Sequence, residues 1–295
     1  MRQYIYIIII ALLGMQACKR HDVVEPTFEV TTNKTTYKVG DTVRFNISGN
    51  PDLLVFFSGE NGKKYANINR TSTDGKPVLT FKTSAQNGTQ INSLALLVST
   101  DFNGTYNAGG VATATWTDIT SRAILSSGTA NVSSGDIDLS DFANAERVFF
   151  AFKFTGQQSA TSAQRQWTIN SFVLNNKLTD GTIYPIFANI SAPGWLGVDV
   201  KNPLAKWTIS ASQLLINGGA VNSADNEDWA VSSGINLKYI TPDYGTPIKD
   251  FTSALPTYTY KYTAAGTYTV TFMGVTNNIY GKKEIIKELQ LTITP

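Results

Sequence analysis

Cysteine and histidine are almost missing from this sequence. Each occurs once in 295 residues, as Cys18 and His21. Beyond His21 there is neither thiol nor imidazole, which excludes disulfides and Cys/His zinc sites from the folded part. Ser-His-Asp and Cys-His nucleophile pairs and imidazole acid–base catalysis are excluded with them. Any enzymatic chemistry would have to run on carboxylates, hydroxyls, lysines or a hard metal. An excess of charge of one sign is lacking too. The formal net charge is +2, from 24 Lys and Arg against 22 Asp and Glu, so nothing favours nucleic acid or a polybasic membrane contact. No apolar run reaches the roughly 20 residues of a membrane-spanning helix. Hydrophobic residues at 42% and aromatics at 11% are ample for packed cores, which argues against long disorder. At this length two or three domains are expected.

The chain opens with Arg2, an apolar run from Tyr4 to Met15, and then Gln16-Ala17-Cys18. A positive start, a short apolar stretch and a small residue before the cleavage point mark residues 1–17 as a secretory signal peptide. The lone cysteine directly after Ala17 resembles a bacterial lipobox, which implies a lipid on the Cys18 thiol. Residues 18–27 read as a stalk. The rest is therefore expected outside the cytoplasm, anchored to a membrane by lipid and not embedded in it. In related lipoproteins an acidic run soon after the cysteine favours the outer face. Here Lys19-Arg20 stand in that place and only Asp22 is near, so the cell surface and the periplasmic face are both open.

Strand patterns dominate the remainder of the chain. Val43, Phe45 and Ile47 alternate with Thr42, Arg44 and Asn46, the period of a half-buried strand. Leu79 and Phe81 repeat it, and Leu94 to Val98 reads as a strand buried on both faces. Val148, Phe150, Phe152 and Phe154 share one face of the next run. Then Trp167, Ile169 and Val173 share a face, with Phe172 and Leu174 opposite. Near the end Tyr258, Tyr260 and Tyr262 alternate with Thr259 and Lys261, and Tyr268, Val270 and Phe272 alternate with threonines. Asn-Pro-Asp, Asn-Gly and Gly-Gly turns punctuate these runs. Many short strands with such punctuation predict an all-β protein of sandwich type.

The phrase YTYKYTAAGTYTVTF (Tyr258–Phe272) resembles the closing strands of a PKD-like, immunoglobulin-type sandwich, and KVGDTVRF near the start resembles the opening of a second. The segment between carries all five tryptophans: Trp116, Trp167, Trp195, Trp207 and Trp229. Its phrases SSGDIDLSDF, RVFFAFKFTG and NEDWAVSSGINL resemble a galactose-binding-like jelly roll. The simplest arrangement is sequential: a sandwich at 28–75, a jelly roll at 76–235 and a second sandwich at 236–295. The alternative is that the two terminal parts complete each other around an inserted domain. Taken whole, the chain resembles lipoproteins of the domain of unknown function 5017 family. That resemblance implies an outer-membrane accessory of a Sus-type glycan-uptake system, with a glycan as ligand and a TonB-dependent transporter complex as partner.

Sugar recognition on β-sandwiches uses exposed aromatic planes flanked by polar side chains. Trp195, in the turn-rich APGWLG segment, and Tyr106, between Gly104 and Gly109, are the loop-borne candidates; the other tryptophans lie in strand-like runs and read as core. Asp136, Asp138 and Asp141, with Asp225, Glu227 and Asp228, are candidate oxygen ligands for a structural calcium, set against the plainer reading of solvated loop carboxylates. A glycosidase would need two facing carboxylates. In the middle segment only Glu146 and Glu227 are glutamates, and no spacing picks out a pair. The expectation is a non-catalytic carbohydrate-binding lipoprotein. The competing one is a docking lipoprotein that binds a protein partner through a sheet edge.

Overall fold

The computed structural model describes residues 22–295. The expected signal peptide, residues 1–17, and the expected lipidation site Cys18 lie outside the described residues. Of the expected stalk at 18–27 the structure describes residues 22–27, and within them the apolar Val23 and Pro26 are buried.

Four strands come first: β1 (Phe28–Thr32), β2 (Thr36–Lys38), β3 (Thr42–Gly49) and β4 (Leu53–Phe57). Their alternation buries Phe28 and Val30 on β1, then Val43, Phe45 and Ile47 on β3. β1 and β3 pair antiparallel with Val30 opposite Ile47. Four strands cannot close a sandwich over those side chains. Their partners lie some 200 residues further on.

The chain then builds a second compact unit, residues 70–241. Its strands are β5 (Lys76–Gln86), β6 (Leu94–Ser99), β7 (Thr117–Asp118), β8 (Val132–Ser133), β9 (Ile137–Asp138) and β10 (Phe149–Gly156). They continue as β11 (Gln166–Lys177), β12 (Ile183–Phe187), β13 (Leu196–Lys201), β14 (Trp207–Ile209), β15 (Leu214–Ile216) and β16 (Asn226–Val231). One sheet runs β13-β16-β10-β6-β7 and the other β14-β15-β11-β5-β8, with β12 added to β11 and β9 to β5. Between them lie Val148, Phe150, Phe152 and Phe154, all fully buried, as their shared parity predicts. Trp167 and Ile169 point into the same core as Phe172 and Leu174, which corrects the expectation that they face opposite ways. The register against β5 shifts between Ile169 and Ser171. Such a bulge adds one residue and reverses the phase of the alternation beyond it.

The last four strands, β17 (Thr246–Lys249), β18 (Thr257–Lys261), β19 (Gly266–Asn278) and β20 (Gly281–Thr294), complete the first unit. β18 pairs with β3, placing Tyr258 opposite Phe45. β19 pairs with β4, placing Phe272 opposite Phe56. β2 lies parallel to β20. The sheets are β1-β3-β18 and β17-β4-β19-β20-β2. Sequential terminal sandwiches at 28–75 and 236–295 therefore do not form: both segments share the same two sheets and one core. At its centre Phe45, Phe56 and Phe272 meet with ring centroids 5.1 to 5.6 Å apart. Each such ring contributes roughly 1.5–3 kcal/mol on burial, and two of the three come from one end of the chain. The protein is thus an all-β sandwich protein, with one sandwich inserted in another.

Candidate functional site

The outer face of the β13-β16-β10-β6-β7 sheet carries its own apolar cluster. Phe149 and Ala151 of β10, Leu97 of β6, and Trp229 and Val231 of β16 gather there under Phe102 and Val111. The cover is the segment after β6, which includes α1 (Ala108–Thr113). Asn107 caps this short helix, its Oδ1 accepting from the Gly110 N–H at 2.8 Å. Phe102 anchors the segment with centroids 5.2 Å from Phe149, 5.3 Å from Tyr106 and 5.5 Å from Trp116.

Where this cover ends, at the start of β10, an open cleft of about 420 Å³ forms, with Asp101, Tyr106, Glu146, Arg147, Phe149 and Gly234 in its lining. Tyr106 is half-buried. Its hydroxyl donates to the Ser232 carbonyl at 3.1 Å, so the ring is fixed from both ends, and burial raises its pKa. Asp101 accepts from the Thr115 N–H and the Ser99 hydroxyl, each at 2.8 Å, and Thr115 and Ser99 hold its carboxyl below the usual range. A general acid needs the opposite shift. Glu146 and Arg147 are exposed on the approach to β10. Gly234 is required by close approach: a Cβ there would stand 2.6 Å from the Phe149 ring.

The other candidate residues are placed elsewhere. Trp195 is 5% exposed. Its indole lies between the sheets, 5.0 Å from Phe172 and 5.5 Å from Phe152 by centroid, and its Nε1 donates to the Ile190 carbonyl at 2.7 Å. The APGWLG turn folds this ring inward because a large apolar plane gains more in the core than in water. Trp195 offers no stacking surface. Tyr106 and Trp195 do not share a site.

The six acidic residues are not gathered round one point either. Among the described residues no three His, Cys, Asp or Glu side chains group as metal ligands. Asp136 pairs with Lys177 at 3.0 Å, Asp138 with Lys76 at 2.9 Å and Asp141 with Arg122 at 2.7 Å. Asp225 pairs with Lys201 at 3.0 Å and Glu227 with Lys153 at 3.1 Å. The Ser140 hydroxyl and Lys76 hold Asp138 down at about 2. A carboxylate already matched to a lysine or arginine is a poor calcium ligand, so the ion pairs along 136–141 favour the plainer reading of solvated carboxylates there. Glu227 is also engaged by the Trp229 Nε1, at 2.9 Å. Asp228 differs from all five. It is buried, and burial, with Asp199 beside it, pushes its carboxyl up to about 8.

Sequence reasoning reaches Tyr106 but misses Asp101, Arg147 and Phe149 as its neighbours. A charged pair ahead of a strand reads as a solvated boundary, and only the β6–β10 pairing, with Phe149 opposite Ser99, brings the 100–106 turn beside it.

No helix among the described residues is long and apolar enough to cross a membrane. Comparison with curated proteins and with solved structures finds no match. The family model for a domain of unknown function, DUF5017, matches residues 17–195, more than half of the sequence, and the chain belongs to that family.

Proposed function

We propose that this protein is a lipid-anchored, non-catalytic carbohydrate-binding accessory of a Sus-type glycan-uptake system. In this reading Cys18 carries the lipid at the outer membrane, and the cleft at Tyr106 holds the glycan beside a TonB-dependent transporter. The observation that carries it is the combination in that cleft of a rigidly held, half-exposed tyrosine ring with Asp101, Glu146 and Arg147. An aromatic plane covers the apolar face of a pyranose, while carboxylates and a guanidinium pair its hydroxyls. The absence of His and Cys from the folded part, and the low pKa of Asp101, favour gripping over cutting.

The test is affinity electrophoresis and a glycan array on wild type, Tyr106→Ala and Arg147→Ala. Wild type is retarded by at least one plant, fungal or host polysaccharide, and each variant binds it about tenfold more weakly, about 1.4 kcal/mol. Silence of wild type across all of these glycans overturns the reading. Radiolabelled palmitate entering wild type but not Cys18→Ala tests the anchor separately.

One observation favours the docking alternative. The turn joining β19 to β20 exposes Ile279 (90%) and Tyr280 (52%), the kind of apolar tip that seats on a protein partner. Co-purification with a transporter that is lost in Ile279→Asp, in a protein that binds no glycan, would support it.

A further inference from the structure

Asp228 is an acidic residue of the inserted sandwich that no lysine or arginine pairs with among the described residues. It is 1% exposed, and among the described residues neither carboxylate oxygen meets a donor in good hydrogen-bond geometry, its polar neighbours being Asp199 and Asn226. Burying a carboxylate without compensation costs several kcal/mol. Directly across the ladder stands not a lysine but a second acid: Asp199 of β13 pairs in register with Asp228 of β16. Val198 and Trp229, the preceding and following pair members, lie in the outer-face cluster, so by alternation both carboxyl groups point to the inner side.

Asn226, two residues before Asp228 and on the same face, shows the same deficit. It is also 1% exposed. Its Nδ2 donates to the Ala205 carbonyl at 3.0 Å, which fixes the amide and leaves Oδ1 without a partner. Trp207 lies beside these groups, its Nε1 donating to the Asp228 backbone carbonyl at 3.2 Å. Buried acceptors of two β16 side chains, Asn226 and Asp228, therefore lie beside the carboxyl group of Asp199 on the neighbouring strand.

We propose that Asp199, Asn226 and Asp228 form a binding site for a hard divalent cation of the calcium class. The donor set is oxygen only, and with both carboxyl groups ionised round a bound cation it matches a charge of +2. Calcium takes six to eight oxygens in flexible geometry. Asp199 is exposed, so water reaches the coordination positions that the protein does not fill. Magnesium, which demands a tight octahedron and gives up water reluctantly, fits such a shallow set less well. The cation would act as a clamp. Among the described residues β13 is an edge strand paired to β16 alone, and the register slips between Asp199 and Lys201. A divalent ion across Asp199 and Asp228 would pin the strand where its hydrogen bonding is interrupted.

The test uses the full chain in detergent, stripped with a chelator and dialysed near neutral pH. Calcium chloride alone is titrated while thermal unfolding is followed, and terbium emission is excited through tryptophan, since Trp207 lies against the site. Wild type gains a saturable rise in Tm and sensitised terbium emission that calcium displaces. Asp199→Asn and Asp228→Asn each weaken the apparent calcium affinity at least tenfold, while Asp136→Asn leaves it unchanged. Because Asp199 is exposed, its variant remains a valid test even if Asp228→Asn fails to fold. No calcium-dependent Tm shift and no terbium emission in wild type overturns the proposal. So does emission that persists unchanged in Asp199→Asn.

Discussion

The hydroxyl of Tyr262 donates to the backbone carbonyl of Ser58 at 2.8 Å, across 204 residues of sequence. Both residues are buried, and the tyrosine ring stacks on Tyr268 with centroids 4.4 Å apart. This bond ties the last strands of the chain to the fourth. Tyr262→Phe keeps the ring and removes the donor, leaving a buried carbonyl unsatisfied. The expected loss is about 1–3 kcal/mol, read as a lower denaturant midpoint for the unit built from the two chain ends.

The discontinuity of that unit makes a sharper prediction. The backbone N–H of Asp243 donates to the Asn67 carbonyl at 3.3 Å, so the outgoing and returning chain lie side by side at the boundary. Replacing residues 70–241 with a short flexible linker should leave a folded sandwich with the dispersed amide spectrum of a β-protein. Ending the chain at residue 241 should not. It would remove β17 to β20 and expose Phe45 and Phe56, giving a first segment that is rapidly proteolysed.

These relationships mark where sequence reading stops. The alternation of Val43, Phe45 and Ile47, or of Phe150, Phe152 and Phe154, reports a strand and its buried face, since each side chain's direction follows from parity alone. Which strand pairs with which is not local information. Tyr258 and Phe45 each announce a strand, and nothing in either phrase says that they are neighbours. The bulge at Asn170 is equally silent, because it is a property of the β11–β5 pair. Trp195 misleads for a related reason. Pro193 and Gly194 mark a turn, and whether a turn residue faces in or out depends on what the rest of the fold leaves uncovered. The Tyr106 cleft is half legible: its aromatic wall and Asp101 stand in one glycine-containing turn, while Glu146 and Arg147 come from a segment about 40 residues on.

Trp195 and Tyr106 should consequently separate in experiment. Trp195→Ala empties a space between the sheets beside Phe152 and Phe172, and truncations of that kind cost about 3–5 kcal/mol. Its effect should appear as a large fall in Tm, with glycan retention unchanged at temperatures where the variant is folded. Tyr106→Ala removes a half-exposed ring and one hydroxyl bond, at a cost below about 2 kcal/mol, and abolishes most retention. Equal loss of retention in the two folded variants would return Trp195 to the binding surface.

The tyrosines of the first unit predict its response to alkali. Tyr258, Tyr260, Tyr262 and Tyr268 all have raised pKa values, in each case through burial first. For Tyr260 burial, and then a hydrogen bond to Glu60, lift the phenol to about 12 from an ordinary 10.0. The folded state therefore holds these protons more tightly than the unfolded chain. That part of the stability is complete below about pH 10 and is lost as pH rises toward about 12. Unfolding midpoints followed by circular dichroism should be level up to about pH 9.5 and then fall steeply. Phenolate absorbance should lag behind that of free tyrosine and then rise with the unfolding transition. Tyr260→Phe has no proton to lose there and removes the contact with Glu60, so its midpoint starts lower and declines less steeply over that window. A decline as steep as that of wild type would show that the phenol at 260 titrates as it would in water.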